Sequence, residues 1–298
     1  MKKEDKEVFD DTCFNVYKGI LFHNQNFAEG NDGKINYDFS DPRFEELKDK
    51  YNLISIVGKV SEFEKVKRLS HYFAPKLIHE SFYDNHIECN SLALLEYSFD
   101  NPKQGINCLN KSKILQECCL ALKIYARRVF IMPYSPYDMD NHVVNEIYDT
   151  KLKKWIMVDL TTDSYFVDEN KIPLSLLEIR NKFANDEFIT SVNTMDILTN
   201  LKKLKNKYAE NNCYICKNLA WLSTAKNSKF GVDKDYYFFA PQNFSIKNNS
   251  IVNYKYRINN TPSGNPKLLK FAEEHLAKLE NSKEFVLTNI SVMERKPK

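Results

Sequence analysis

Cys108 lies between a turn cluster, Asn101-Pro102-Lys103-Gln104-Gly105, and a stretch, Leu109 to Leu122, with helical patterning. In that stretch Ile114, Leu115, Cys118, Ala121 and Leu122 form one apolar stripe. A thiol placed there sits at a helix start, where backbone N–H groups lack intrahelical partners and the helix dipole favours negative charge. Both effects favour the thiolate, which is the nucleophilic form of cysteine. The same N–H groups can stabilise the oxyanion of a tetrahedral intermediate.

A thiolate nucleophile needs a base, and the base needs a partner that fixes its tautomer. Of the six histidines, His142 opens an apolar strand, His142 to Tyr148, directly after the loop Pro133-Tyr134-Ser135-Pro136-Tyr137-Asp138. Asp159 lies near the end of the next strand, Trp155 to Leu160, before Thr161-Thr162-Asp163. A turn centred on Thr150-Lys151 would place Glu146 opposite Trp155 and His142 opposite Asp159. Directly opposed residues share a face with Cβ atoms roughly 4.5–5.5 Å apart, so a bond from His142 Nδ1–H to the Asp159 carboxylate is expected. A one-residue slip would put the two on opposite faces.

Around this set, Gln104 is the candidate for a second oxyanion donor, ahead of Asn107 and Asn90. The loop from Tyr134 to Asn141 adjoins His142, and Tyr134, Tyr137, Asp140 and Asn141 are candidates to line a substrate cleft. An ordinary surface loop fits the same residues. His79, His86 and Cys89 fall in one stretch without an obvious fourth ligand, and packing or surface roles suit them better than metal. Cys213-Tyr214-Ile215-Cys216 is a single C-x-x-C with no further ligands at zinc spacing. Neither a metal nor a cofactor is expected. Cys118, inside the helix, is expected to be buried.

The elements that must position these residues can be read in three parts. Residues 1–99 read as mostly helical. Pro42 to Tyr51 is a short helix with Asp41 as cap, and Ser61 with Glu64 has capping-box spacing ahead of a helix that Pro75 disturbs. Residues 100–185 carry the nucleophile helix, a strand from Tyr125 to Met132, and the hairpin. Residues 186–298 read as a C-terminal α+β extension. Its expected elements are a helix over Phe188–Ala209, strands at Tyr236–Phe239 and Ile251–Ile258, an amphipathic helix over Pro266–Leu279, and a closing strand, Phe285–Met293. One α+β domain is the simplest architecture.

The chain has 298 residues, a formal net charge of +3 and interspersed acids and bases, which argues against a nucleic-acid partner. The basic run Leu201-Lys202-Lys203-Leu204-Lys205-Asn206-Lys207 fits a solvated helix face. Seven cysteines without framework spacing suit thiols in a reducing compartment. No apolar h-region follows Lys2-Lys3-Glu4-Asp5-Lys6-Glu7, and no stretch of 18 apolar residues exists. A soluble, cytoplasmic protein without a membrane partner is expected.

The segment from about residue 100 to 185 resembles the transglutaminase-like superfamily of the papain fold. The matching text is Gly105-Ile106-Asn107-Cys108, then Ile124-Tyr125-Ala126-Arg127-Arg128-Val129, His142-Val143-Val144-Asn145-Glu146-Ile147-Tyr148 and Trp155-Ile156-Met157-Val158-Asp159. Leu174-Ser175-Leu176-Leu177-Glu178-Ile179-Arg180 looks like a segment of a bacterial subgroup, with weaker echoes near Lys217-Asn218-Leu219-Ala220-Trp221. The resemblance implies a papain-like transglutaminase fold with the nucleophile helix packed on an antiparallel sheet. It also implies a Cys108–His142–Asp159 triad acting through a thioester on a protein or peptide substrate, as peptidase, deamidase or transglutaminase. Arg127 matches a strand arginine with a structural role. The sequence departs from the family at Lys123, usually glycine, and at Leu160, usually proline. A catalytically silent binding module on the same fold is the alternative.

Overall fold

The computed structural model describes residues 11–261 and 266–297; the charged leader, residues 2–7, lies outside them. The N-terminal third is helical: α1 (Asp11–His23), α2 (Arg43–Lys50), α3 (Leu53–Val57), α4 (Glu62–Phe73) and α5 (Ser91–Asp100), with a two-residue strand, β1 (Asn36–Tyr37). Polar side chains cap the starts of α4 and α5. Ser61 Oγ accepts the Glu64 N–H at 3.4 Å and Asn90 Oδ1 accepts that of Ala93 at 2.9 Å. Pro42 rather than Asp41 is the residue immediately before α2, but Asp41 Oδ1 still accepts the Arg43 N–H at 3.0 Å. Pro75 ends α4 in a single 3-10 turn, Ala74–Lys76.

The central helix α6 (Cys108–Ala121) is buried over nearly its whole length. The apolar stripe undercounts what it hides: Cys118 and Cys119 are both fully buried, as are Lys113, Gln116 and Glu117. Lys113 is satisfied by Glu117 at 3.3 Å, the Lys229 carbonyl at 2.9 Å and Asp233 at 3.5 Å, which fastens α6 to the 229–233 loop. The helix ends with Lys123 at φ +60°, its N–H bonded to the Leu120 carbonyl while the Ile124 N–H returns to Cys119. This is the left-handed stop that usually takes glycine. Lys123→Gly is therefore expected to raise the unfolding free energy by roughly 0.5–1 kcal/mol, read from a shift in urea midpoint at unchanged slope.

Beyond α6 come β2 (Ala126–Met132), β3 (His142–Asp149), β4 (Lys154–Asp159), β5 (Ser164–Asp168), α7 (Leu176–Ala184), β6 (Ile189–Asn193), α8 (Leu201–Lys207) and α9 (Ala209–Lys217). The remaining elements are β7 (Trp221–Ala225), β8 (Asn227–Ser228), β9 (Tyr236–Phe239), α10 (Ile246–Asn260) and α11 (Pro266–Glu280). The molecule is α+β. Seven strands form one antiparallel sheet in the order β6-β5-β4-β3-β2-β7-β9, and β1 pairs with β8 beside it. The sheet is covered on both faces. On one, Ile114, Leu115, Cys118 and Cys119 of α6 join Ile147, Ile156 and Val158. On the other, Ile179, Phe183 and Ile215 of α7 and α9 join Val144, Met157 and Phe166. That is why β3 is buried at every position instead of alternating. Among the described residues no helix is long and apolar enough to cross a membrane.

Three C-terminal expectations are corrected. Residues 188–209 are not one helix: Ile189, Thr190 and Val192 are β-branched, and their segment pairs with β5 as an edge strand before α8 begins. Ile251–Ile258 is not a strand but lies within α10, where Ile, Val and Tyr misled by their β preference. Phe285–Met293 is not a closing strand. It makes isolated bridges, Phe238 with Leu287 and Asn31 with Thr288, and then turns as a 3-10 helix at Ile290–Met293.

Candidate active site

The β3–β4 hairpin sets the site. Its turn is longer than the sequence suggests: Asp149 faces Lys154, Tyr148 faces Trp155, and Asn145 faces Val158. Asp149 Oδ1 accepts the Leu152 N–H at 2.8 Å, and Lys153 closes the turn at φ +55°. The register thus differs by two residues from the expected pairing, so Asp159 stands diagonal to His142 rather than opposite it. An even shift keeps both side chains on one face. The imidazole reaches along the diagonal, and His142 Nε2 lies 2.8 Å from Asp159 Oδ2. The expected contact is therefore made, through Nε2 rather than Nδ1.

That choice of nitrogen leaves Nδ1 for Cys108. The thiol is partly buried, at the first residue of α6, and acts on the His142 side chain as an electrostatic neighbour. Asn107 places it: its Oδ1 accepts the Asn110 N–H at 3.2 Å, and its Nδ2 donates to Asn85 Oδ1 at 3.1 Å. Farther along, Asn145 Nδ2 donates to the Ser112 carbonyl at 2.9 Å and locks α6 over β3.

His142 is only 2% exposed and Asp159 only 1%. Burial alone would push the imidazole's pKa down. The Asp159 charge and hydrogen bond, followed by Cys108, outweigh burial and hold it up at about 10. Burial likewise works to raise Asp159, but the His142 charge and hydrogen bonds from His142, the Thr161 N–H and the Thr162 hydroxyl keep its carboxyl below the ordinary value. Those last two bonds are 2.8 and 2.9 Å long, and Thr162 Oγ1 lies 2.7 Å from Ser164 Oγ. The result is a buried, ionised His–Asp pair beside a thiol.

Tyr214 covers the imidazole edge-on, with ring centroids 5.3 Å apart. Its hydroxyl lies 3.3 Å from Asp140 Oδ1 and 3.4 Å from the Asn141 carbonyl. Burial, then the charges of Asp140, Cys108 and Asp159, raise the phenol's pKa, so it stays a donor. Tyr214 comes from inside the C-x-x-C motif on α9. Cys213 and Cys216 flank it as thiols whose pKa values burial raises.

Gln104 is exposed, and its Oε1 accepts the Tyr97 hydroxyl. It is drawn toward α5 rather than the triad. Tyr134 packs on Phe244 at 5.3 Å and Tyr137 on Tyr256 at 5.6 Å. Both line a cleft of about 340 Å³ with Tyr17, Pro133 and Met139, and no triad residue lines it. Asp140 and Asn141 instead touch Tyr214 and so belong to the wall beside His142. The loop itself is held from α10. Asn249 Nδ2 donates to the Tyr134 carbonyl at 2.9 Å, and Asn253 Nδ2 donates to those of Pro136 and Asp138 at 2.9 and 2.8 Å. Arg257 donates to that of Met139.

Sequence reasoning missed Tyr214, the two threonines and this clamp. Thr161-Thr162, directly behind Asp159, was a signal in plain sight. Asn249, Asn253 and Arg257 recur every fourth residue, a helical spacing, inside a stretch whose residue types favour strand. No protein-family model, curated protein or solved structure matches this chain.

Proposed function

We propose that this protein is a cysteine-dependent acyl-transfer enzyme of the transglutaminase-like type, on a papain-like fold. Cys108 is the nucleophile, His142 the base and acid, and Asp159 the orienter. The observation that carries the reading is the 2.8 Å bond between His142 Nε2 and Asp159 Oδ2, which leaves the other ring nitrogen free of the carboxylate, with Cys108 at the start of α6 among the groups that act on the imidazole. In the first step the thiolate sulfur attacks an amide or ester carbonyl, and the carbonyl π pair moves onto oxygen. The tetrahedral intermediate collapses, His142 gives its proton to the departing amine or alcohol, and a Cys108 thioester remains. Water or an amine then attacks the thioester, His142 takes its proton, and Cys108 leaves as thiolate. The substrate is a protein or peptide, and water or amine as acceptor decides between hydrolysis and transfer. All seven cysteines are free thiols, which suits work in a reducing compartment such as the cytoplasm.

The test is the rate of Cys108 alkylation by iodoacetamide across pH, in wild type and His142→Ala. Cys108 should label well below pH 8, and the substitution should abolish that advantage. Ordinary thiol reactivity, indifferent to His142, would instead leave a binding module on this fold.

A further inference from the structure

Lys111 is 2% exposed and, among the described residues, its side chain makes no hydrogen bond or ion pair. A side chain so nearly enclosed leaves its ammonium little water to stand in for a partner, which is costly. Lys113, two residues on in the same helix, shows how this chain satisfies such a group, with two carboxylates and a carbonyl. Lys111 lies one helical turn beyond Cys108, on the same face. Long side chains on a helix lean back over the preceding turn, which carries this ammonium toward the thiol. Its electrostatic neighbours are Asp159 and Cys108, and half-buried His79 lies within reach of the same group of charges. Asp159, the carboxylate that acts on Lys111, is already committed to His142, Thr161 and Thr162, and Glu80 acts on His79. Lys111 is thus a surplus positive charge at the reacting sulfur.

We propose that Lys111 is the anion-recognition residue of this site, selecting acyl donors that carry a carboxylate beside the carbon attacked by Cys108. The proposal rests on the acyl-transfer reading for its substrate, but its electrostatics can be tested separately. Iodoacetate presents a carboxylate next to the carbon a thiolate attacks, and iodoacetamide is its neutral counterpart. Both consume the same thiolate, so the ratio of their rates at Cys108, followed by peptide mapping, cancels the thiolate fraction.

In wild type at pH 7 this ratio should exceed that of a free cysteine peptide. Lys111→Met should lower it by about fivefold to tenfold, and Lys111→Arg should keep it. Wild type supplies an independent check. The charged groups around Lys111 are Cys108, Asp159 and His79, and His79 in turn feels His142 and Glu80. Burial holds the Lys111 ammonium down to about 8, whereas His142 sits at about 10. Burial, then the Lys111 charge, keeps His79 below its ordinary value, so it is neutral above pH 7. The ratio should therefore fall across pH 8 and not wait for pH 10. An unchanged ratio in Lys111→Met, or a wild-type ratio flat through pH 8, overturns the proposal. Iodoacetamide alone with His142→Ala judges the triad, so either idea can fail without the other.

Discussion

Asp159→Asn should lower acyl transfer by roughly 10³–10⁴-fold, the scale on which triads depend on their orienting carboxylate. The geometry explains why. The Thr161 N–H donates to Oδ1, whereas the Thr162 hydroxyl and His142 share Oδ2, so an asparagine keeps its oxygen on the Thr161 N–H, which cannot accept, and turns its amide N–H toward His142. Nε2 then becomes an acceptor, the ring proton moves to Nδ1, and the nitrogen facing Cys108 can no longer take a proton. The loss also removes the charge that holds His142 at about 10, so burial prevails and the imidazole becomes neutral. Hydrolysis of an activated ester measures the first effect; an undiminished rate in a folded variant would rule out this role for Asp159. The second appears in stability. A histidine whose pKa rises on folding stabilises the fold fully below its ordinary value of about 6.5 and loses that contribution as pH climbs toward its folded value. Wild type should therefore lose thermal stability between about pH 6.5 and pH 10 on this account, and Asp159→Asn should lack that component. For Asp159, whose pKa falls on folding, the contribution is present above the ordinary carboxylate value and disappears as pH drops through the folded one.

Glu146→Ala should destabilise the fold by about 3–5 kcal/mol, the usual cost of stripping one partner from a buried ion pair. Glu146 and Arg127 stand directly opposite each other on β3 and β2. Glu146 Oε2 takes Arg127 Nε at 3.0 Å and Nη2 at 2.6 Å, while its Oε1 accepts the Leu176 N–H at the start of α7 at 2.9 Å. Arg127 also donates to the Met293 carbonyl and lies 3.9 Å above the Trp155 ring. The ion pair thus joins two strands, a helix start and the C-terminal 3-10 turn. Loss of the carboxylate leaves a guanidinium 1% exposed with no counter-charge. Urea unfolding of the variant measures the cost. Arg127→Met with Glu146→Leu should recover much of the loss, since a buried pair replaced whole is often neutral. A single variant as stable as wild type would show that the pair contributes nothing.

The centre of the fold was legible because its signals are local. Turn residues before Cys108, an apolar stripe after it, and two apolar runs joined by a short polar turn place α6, β3 and β4 within a residue or so of their observed limits. The hairpin register was wrong by two because turn length follows backbone conformation at Lys153, which residue types only weakly specify. The error was harmless to the site because it was even. The C-terminal part was less legible because tertiary partners decide it: residues 189–193 become a strand by completing the sheet edge, and residues 251–258 stay helical while clamping a loop over 100 residues away in sequence. Tyr214 was hidden for a related reason. Its neighbours drew attention as cysteines, while the tyrosine between them meets His142 only through the packing of α9.

The clamp on the loop before His142 bears on the order in which the chain is made. Cys108, His142 and Asp159 leave the ribosome early, yet Tyr214 follows 55 residues after Asp159, and Asn249, Asn253 and Arg257 later still. A nascent chain paused at residue 200 holds Cys108, His142 and Asp159 but neither the α10 clamp on the loop nor Tyr214 over the imidazole. On the proposed reading, reactivity at Cys108 should therefore mature only once α9 and α10 have folded over the imidazole and the loop before it.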